Sequence, residues 1–280
     1  MGLRGRIQFT GGEPLLSGDL FVLLEEARKR KMPARLLSNG TLLTRDIARE
    51  LKEAGCKTVQ ISLDGDRETH NAIRGEFASE KAIEGARQSK EEGISITVMM
   101  TVSGTNHTQL NQVYKEVVSA SAHRFSFSRL VPIGRGASYS GEMLSANQMK
   151  GLFQSCLALK SENLIEMPMR DPLWGPYLSG RANPPNPRLL SGCSIGYNGI
   201  CIDSDGSVYP CRRLPVLLGN VMNDDLEKIW NCETLERLRN RDALRGKCGK
   251  CRYRWQCGGC RAVAYAMSGD SLAEDPQCFI

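Results

Sequence analysis

The 280-residue sequence predicts an α/β protein: repeated strand–helix units over the first half, then a small cysteine-rich domain. Two observations predict it. From Arg6 to about Val131, short apolar runs of period two alternate with segments of helical spacing, the pattern of βα units and a parallel sheet. From Cys193 to Cys278 lie eight of the eleven cysteines. Eight thiols make two sets of four, and four thiolates are what one iron–sulfur cluster or one structural zinc requires.

The strands are expected at Ile7/Phe9, Leu36/Leu37, Val59/Ile61/Leu63, Ile94/Ile96/Val98/Met100/Val102 and Phe125/Phe127. Between them, Ser17 can cap a helix running toward Lys31. Thr44 can cap one that carries Ile47, Ala48 and Leu51 and stops at Gly55, and Ser79 one that stops at Gly93. Right-handed crossovers make such a chain an open sheet or a partial or full barrel, with ligands at the carboxyl ends of the strands. Those ends are where the informative residues fall. Gly11-Gly12-Glu13-Pro14 follows the first strand, Ser38-Asn39-Gly40 the second, and Ser62 with Asp64-Gly65 the third. From the residues alone, GGEP is equally a ligand-approaching loop or a turn before the Ser17-capped helix.

Residues 147–160 read as a helix with Met149, Leu152, Phe153 and Cys156 on one face. Pro168, Pro172, Pro176, Pro184, Pro185 and Pro187 then mark a segment expected to hold neither helix nor central strand, with Trp174 and Tyr177 packing inside it. A hairpin is expected across Ser204-Asp205-Gly206, drawing Cys201 and Cys211 together. Residues 224–240 read as one helix, with Cys232 a packing residue. The resulting division is 1–140, 141–190 and 191–280.

Composition narrows the function classes. Hydrophobic content of 41% and charged content of 24% are those of a globular protein. No run approaches the ~18 apolar residues of a membrane span. The net charge of +6 is scattered among acidic residues, as solvated helix faces are, so neither nucleic acid nor membrane is expected as a partner. The opening residues lack an export leader, and Cys56, Cys156 and Cys232 stand alone, so a reducing cytoplasm is expected.

Three readings compete for the eight clustered cysteines. Disulfides conflict with that compartment. Zinc suits C-x2-C pairs, but no histidine lies beyond His123 to join them. The run Cys248-x2-Cys251-x5-Cys257-x2-Cys260, with more distant Cys193, Cys201, Cys211 and Cys278, matches cubane iron–sulfur clusters best.

GGEPLL after the first strand, SNGTLL after the next, and ISLDG followed by H-x3-RG resemble the radical S-adenosylmethionine superfamily. The cysteine-rich end is similar to its SPASM extension, and RLVPIGRG, YPCRRLP, CGGCRAVAYAMSGD and EDPQC resemble the branches acting in haem and haem d1 biosynthesis. Similar tails occur in peptide maturases. The resemblance implies a partial (β/α)6 barrel, its first βα unit missing, over 1–140 and an auxiliary-cluster domain over 191–280. It implies S-adenosylmethionine held by Gly11, Gly12 and Glu13, with Asn39 facing the same cavity and Ser62 and Arg74 contacting ribose and carboxylate. Arg74 reads otherwise as a surface ion pair with Glu76 or Asp66, and His70 as a structural partner in the same turn. Two auxiliary four-iron clusters are implied, one on Cys193, Cys201, Cys211 and Cys260, the other on Cys248, Cys251, Cys257 and Cys278, the fourth ligand of each left open because many relatives have C-x3-C where this chain has Cys257-x2-Cys260. The implied chemistry is reductive cleavage to a 5′-deoxyadenosyl radical and hydrogen abstraction from a modified tetrapyrrole or a peptide side chain, with flavodoxin or ferredoxin as electron donor. The different-class alternative is a non-catalytic iron–sulfur binding or electron-transfer protein.

One departure stands out. The superfamily holds its catalytic cluster on C-x3-C-x2-C ahead of GGEP, a spacing found nowhere in these residues. Either Met1-Gly2-Leu3 is an internal or misassigned start and the third, catalytic cluster belongs to a longer chain, which is the expectation preferred, or the chain is a truncated paralogue; as written it is expected not to cleave S-adenosylmethionine.

Overall fold

The structure, a computed structural model, describes residues 5–179 and 192–280. The expectations on Met1-Gly2-Leu3, Pro184, Pro185 and Pro187 lie outside the described residues. The chain forms two compact units, Met1–Ser128 with Leu152–Met169, and Arg129–Gly151 with Arg170–Ile280.

The first unit is built on five strands in chain order: β1 (Ile7–Phe9), β2 (Ala34–Ser38), β3 (Cys56–Ser62), β4 (Ser95–Val102) and β5 (Arg124–Arg129). Their registers run parallel, with Ile7 opposite Ala34, Leu36 opposite Val59 and Val59 opposite Ile96. This is the parallel sheet expected from the alternating periods and the partial barrel that the resemblance implies. Leu36, Val59, Ile96 and Met100 are fully buried, as in a sheet covered by crossover helices.

Those helices are α1 (Leu20–Lys29), α2 (Arg45–Glu53), α3 (Arg67–Arg74), α4 (Ala78–Glu91) and α5 (Leu110–Ser119). Thr44 caps α2 as expected, its hydroxyl accepting from the Ile47 amide at 3.3 Å. Two other caps need correction. Ser17 closes a one-turn 3-10 segment, Pro14–Leu16, and α1 begins after Asp19. Ser79 lies inside α4, whose N-cap is Phe77; the Ser79 amide is satisfied by the Asn71 side chain at 2.8 Å. Asn71 therefore does from α3 what a serine cap would have done locally.

Next comes α6 (Ala146–Glu162), in which Met149, Leu152, Phe153 and Cys156 are all buried as expected. In the second unit, α7 (Trp174–Ser179) corrects the expectation that the proline-marked segment excludes helix. Pro176 is its third residue, where a helix has no intrahelical partner for the amide, so proline removes nothing. Trp174 is buried against Tyr177, whose ring meets Phe279 edge-on at 5.7 Å.

The expected hairpin forms between β6 (Cys201–Ile202) and β7 (Ser207–Tyr209), turning at Gly206 with φ of 85°. A third strand, β8 (Gly219–Asn220), pairs with β7. The single helix expected over 224–240 is two: α8 (Leu226–Trp230) and α9 (Glu233–Arg239). Cys232 takes extended backbone at the break and caps α9. Two short axes, α8 and α9, bring Ile229 and then Leu235 and Leu238 to full burial. After α10 (Gly246–Lys250) and α11 (Arg261–Ser268), the core of this unit joins Val131, Ile195, Leu214, Leu235, Leu238, Leu244 and Val263 to Cys248 and Cys260. Cys232 packs against that core, as expected.

Candidate functional site

Glu13 organises the strand ends of the first unit. Gly11 has φ of 147°, a value open to glycine, and neither Gly11 nor Gly12 has another atom within 4 Å of where a Cβ would stand. The chain leaves β1 through this exposed pair and places Glu13 at the start of the 3-10 turn. Its Oε1 accepts from the Ser38 hydroxyl at 2.8 Å and the Leu15 amide at 3.3 Å; Oε2 accepts from the Asn39 amide at 2.7 Å. Glu13 thus ties the end of β1 to the end of β2. The Asn39 side chain turns into its own loop, accepting from the Thr41 amide and hydroxyl at 2.8 and 2.7 Å.

Ser62 is the half-buried last residue of β3, opposite Met99. Beyond it, Asp64 is 2% exposed and gathers a network the sequence reading missed. Arg74 donates to Asp64 Oδ2 through Nε at 2.8 Å and Nη2 at 2.5 Å, and the Thr101 amide donates to Oδ1 at 2.7 Å. The ion-pair partner of Arg74 is therefore Asp64, neither Glu76 nor Asp66. His70 is structural as expected: Nδ1 accepts the Asp64 amide at 2.9 Å, and burial holds its pKa below the usual value despite the nearby Asp64 carboxylate. Because Nδ1 accepts, the neutral ring carries its proton on Nε2. The ISLDG motif contained Asp64 all along. What the sequence did not give was the ten-residue reach of Arg74 back along α3.

No two cysteines are joined by a disulfide among the described residues. Among the described residues no three or more His, Cys, Asp or Glu converge on one point as a single metal ion requires. The eight candidates of the second unit fall into electrostatic neighbourhoods. Cys260 is influenced by Cys193, and Cys201 by Cys211; Cys278 is influenced by Cys248 and Cys251, and Cys257 by Cys278. Burial is the leading cause that pushes the Cys201, Cys257, Cys260 and Cys278 thiols up. Backbone amides point at three of the sulfurs: Tyr253 at Cys251 (3.4 Å), Gly259 at Cys257 (3.3 Å) and Asp275 at Cys248 (3.4 Å). The Cys193 and Cys257 neighbourhoods are joined through backbone, since the Cys193 amide donates to the Cys257 carbonyl at 2.9 Å.

Asp275 stands at that junction. Its Oδ2 accepts from the Cys260 amide at 2.8 Å and Arg129 Nη2 at 2.9 Å, and Oδ1 accepts from Arg129 Nη1 at 3.0 Å. Its carbonyl accepts from the Cys278 amide at 3.1 Å. Arg129 also holds Asp171 at 2.6 Å and Gln277 at 3.1 Å. Burial alone would raise the Asp275 carboxyl, but the Arg129 charge and these donors outweigh it and hold it below the usual carboxylate range. The available signal was in two motifs already singled out: RLVPIGRG opens with Arg129, and EDPQC contains Asp275 and Gln277.

A parallel βα unit with polar loops at its strand ends precedes a unit that carries the eight clustered cysteines, a thiol content suited to iron–sulfur ligation. Residues 1–117 match the family model of the Radical SAM superfamily, and residues 193–252 that of SPASM, an iron–sulfur cluster-binding domain. The AdoMet-dependent heme synthase of Nitratidesulfovibrio vulgaris is 32% identical, over 97% of this chain and 78% of its own. The pre-heme d1 synthase of Dinoroseobacter shibae is 30% identical, over 97% of this chain and 73% of its own. Among solved structures, Streptococcus suis SuiB bound to precursor peptide SuiA superposes with a TM-score of 0.76 at 17% identity, covering 98% of this chain and 65% of that one. The chain thus spans about two thirds of SuiB's length, and the likeness is one of fold. This chain belongs to the radical S-adenosylmethionine superfamily, in its SPASM-bearing branch. The families imply iron–sulfur clusters and S-adenosylmethionine as cofactors. No helix among the described residues is long and apolar enough to cross a membrane.

Proposed function

We propose that this chain serves a radical S-adenosylmethionine oxidoreductase that removes hydrogen from a modified tetrapyrrole of the haem-synthesis type, working in the cytoplasm with flavodoxin or ferredoxin as electron donor. Residues 1–140 hold the cosubstrate, 141–190 link, and 191–280 hold two auxiliary four-iron clusters. Tetrapyrrole is favoured over peptide because relatives named heme and pre-heme d1 synthase reach 30–32% identity, against 25% for the mycofactocin maturase of Mycolicibacterium smegmatis.

The grouping of the thiols carries the cluster reading. Cys193 lies near Cys260, Cys201 near Cys211, and Cys278 near Cys248, Cys251 and Cys257. Joining the first two pairs as one set of four, with the remaining four cysteines as the other, is the assignment proposed. Amides aimed at Sγ suit thiolate ligands, because a hydrogen bond to the charged form lowers its cost.

On the cosubstrate side, Glu13 uses three of its roughly four acceptor positions on Leu15, Ser38 and Asn39, leaving one for the methionyl ammonium. Gly11 and Gly12 leave backbone room beside it. Arg74 spends two of about five N–H donors on Asp64 and keeps the rest for a carboxylate, held in orientation by that buried partner. Asn39 and Ser62 line the neighbouring strand ends. When bound and reduced, S-adenosylmethionine supplies the carbon radical for hydrogen abstraction.

Anaerobic reconstitution with iron and sulfide tests the reading. Uptake of about eight irons and eight sulfides per chain is expected from two cubanes. A colourless, iron-free product would overturn it. Tight binding of an iron porphyrin bearing propionates supports tetrapyrrole chemistry; indifference to porphyrins, with binding of a peptide, would overturn the substrate assignment alone.

A further inference from the structure

The second unit buries more positive than negative side-chain charge. Its buried ionised groups, among the described residues, are Arg129, Arg241 and Arg261 against Asp171 and Asp275. Both carboxylates bind Arg129. Arg241 and Arg261 are each 0% exposed, and no acidic side chain pairs with either among the described residues.

Their surroundings are the cysteine loops. Arg241 gives Nη2 to the Cys193 carbonyl at 2.5 Å and lies against the Tyr197 ring, while Nε and Nη1 find no hydrogen-bond partner. Arg261 gives Nη1 to the carbonyls of Ser271 and Ala273, and Nη2 to Cys248 Sγ at 3.7 Å; its Nε is unpartnered. The two glycines between Cys257 and Cys260 each face one of them. A Cβ on Gly258 would stand 2.5 Å from Arg241 Nη1, and one on Gly259 2.6 Å from Arg261 Nη2 and 3.2 Å from Cys248 Sγ. Both glycines have positive φ, 68° and 59°.

A buried guanidinium without a counter-charge is strongly disfavoured. Thiolate-ligated cubanes carry net negative charge, and nearby charge and hydrogen bonds to sulfur set their potentials. We propose that Arg241 and Arg261 are fixed counter-cations, one for each auxiliary cluster: Arg241 for the set containing Cys193 and Arg261 for the set containing Cys248. The CGGC glycines leave room for the guanidinium groups to approach. Each arginine favours the reduced, more negative cluster and so raises that cluster's potential. These are positioning and tuning residues, and their assignment rests on the two-cluster reading above.

The test is an EPR-monitored redox titration of the reconstituted chain and of Arg241→Met and Arg261→Met, with iron and sulfide counted in each. Each methionine variant is expected to retain its iron and to move one of two reduction waves to more negative potential, a different wave in each. Arg241→Lys and Arg261→Lys, which keep the charge, are expected to restore the affected wave toward the wild-type position. Where a methionine variant does not fold, the glutamine variant, which keeps donors for the carbonyls, carries the same measurement. Loaded neutral variants whose two waves stay at wild-type potentials overturn the proposal. Failure of the wild type itself to take up iron overturns the two-cluster reading first, so the two failures are distinguishable.

Discussion

Arg129 and Asp275 face each other as a two-pronged ion pair, Nη1 to Oδ1 at 3.0 Å and Nη2 to Oδ2 at 2.9 Å, 146 residues apart in sequence. Neither is exposed beyond 3%. The pair holds the Cys260 amide in place and, through the Asp275 backbone, reaches Cys248 and Cys278. Two motifs far apart in the chain thus meet at one carboxylate.

Replacing that carboxylate leaves a buried guanidinium with Asp171 as its remaining counter-ion. Asp275→Asn is expected to cost about 3–5 kcal/mol, the range for breaking a buried ion pair from one side. Chemical denaturation of the reconstituted protein measures it; a loss below about 1 kcal/mol, the range of an exposed pair, would show the pair is dispensable.

Loss of one thiol should cost one cluster. Cys201→Ala is expected to leave roughly half of the iron, held by the Cys248, Cys251, Cys257 and Cys278 set, and Cys278→Ala the converse half. Iron and sulfide assays after anaerobic reconstitution decide it, and a variant that keeps the full complement rejects that cysteine as a ligand.

Glu13→Gln keeps one carbonyl oxygen, which can serve Ser38 and Leu15 or the Asn39 amide but not both, and removes the charge opposite the ammonium. Affinity for S-adenosylmethionine should fall about tenfold to a hundredfold, as expected for a hydrogen bond to a charged group. Calorimetric titration reads the effect directly; undiminished binding would place the ammonium elsewhere.

His70 gives the first unit a pH dependence. Its folded pKa lies below the unfolded 6.5, chiefly through burial, so on acidification the unfolded chain takes up the proton first. Stability should therefore fall as pH drops below 6.5, and level off once the folded value is passed. His123, lowered by burial and by Lys90 and Arg124, adds in the same direction. His70→Gln, which can still accept the Asp64 amide, should flatten that slope in denaturation series between mildly acidic and neutral pH; a slope unchanged from wild type would assign it to other groups.

Periodicity was enough to locate all five strands of the parallel sheet, because side-chain alternation and helical spacing are local properties of the chain. The hairpin at Gly206 was legible for the same reason, since turn chemistry is written in adjacent residues, whereas the residues of GGEP alone left a ligand loop and a plain turn equally open. Caps were legible only where the chain supplied its own, as at Thr44. At Ser79 a side chain from the preceding helix took over, and spacing along the chain carries no record of that. Pairings between distant residues were decided by the tertiary structure alone. Asp64 takes Arg74, Glu13 spans two strand ends, and Arg129 finds Asp275, because burial makes each charge seek whichever partner the fold brings within hydrogen-bonding distance. The sequence by itself pointed to the iron–sulfur chemistry of the tail, through the number and spacing of its thiols, which are local properties of the chain. Only the folded chain decided which arginines are left inside without a carboxylate, since that depends on three-dimensional burial and not on order along the chain.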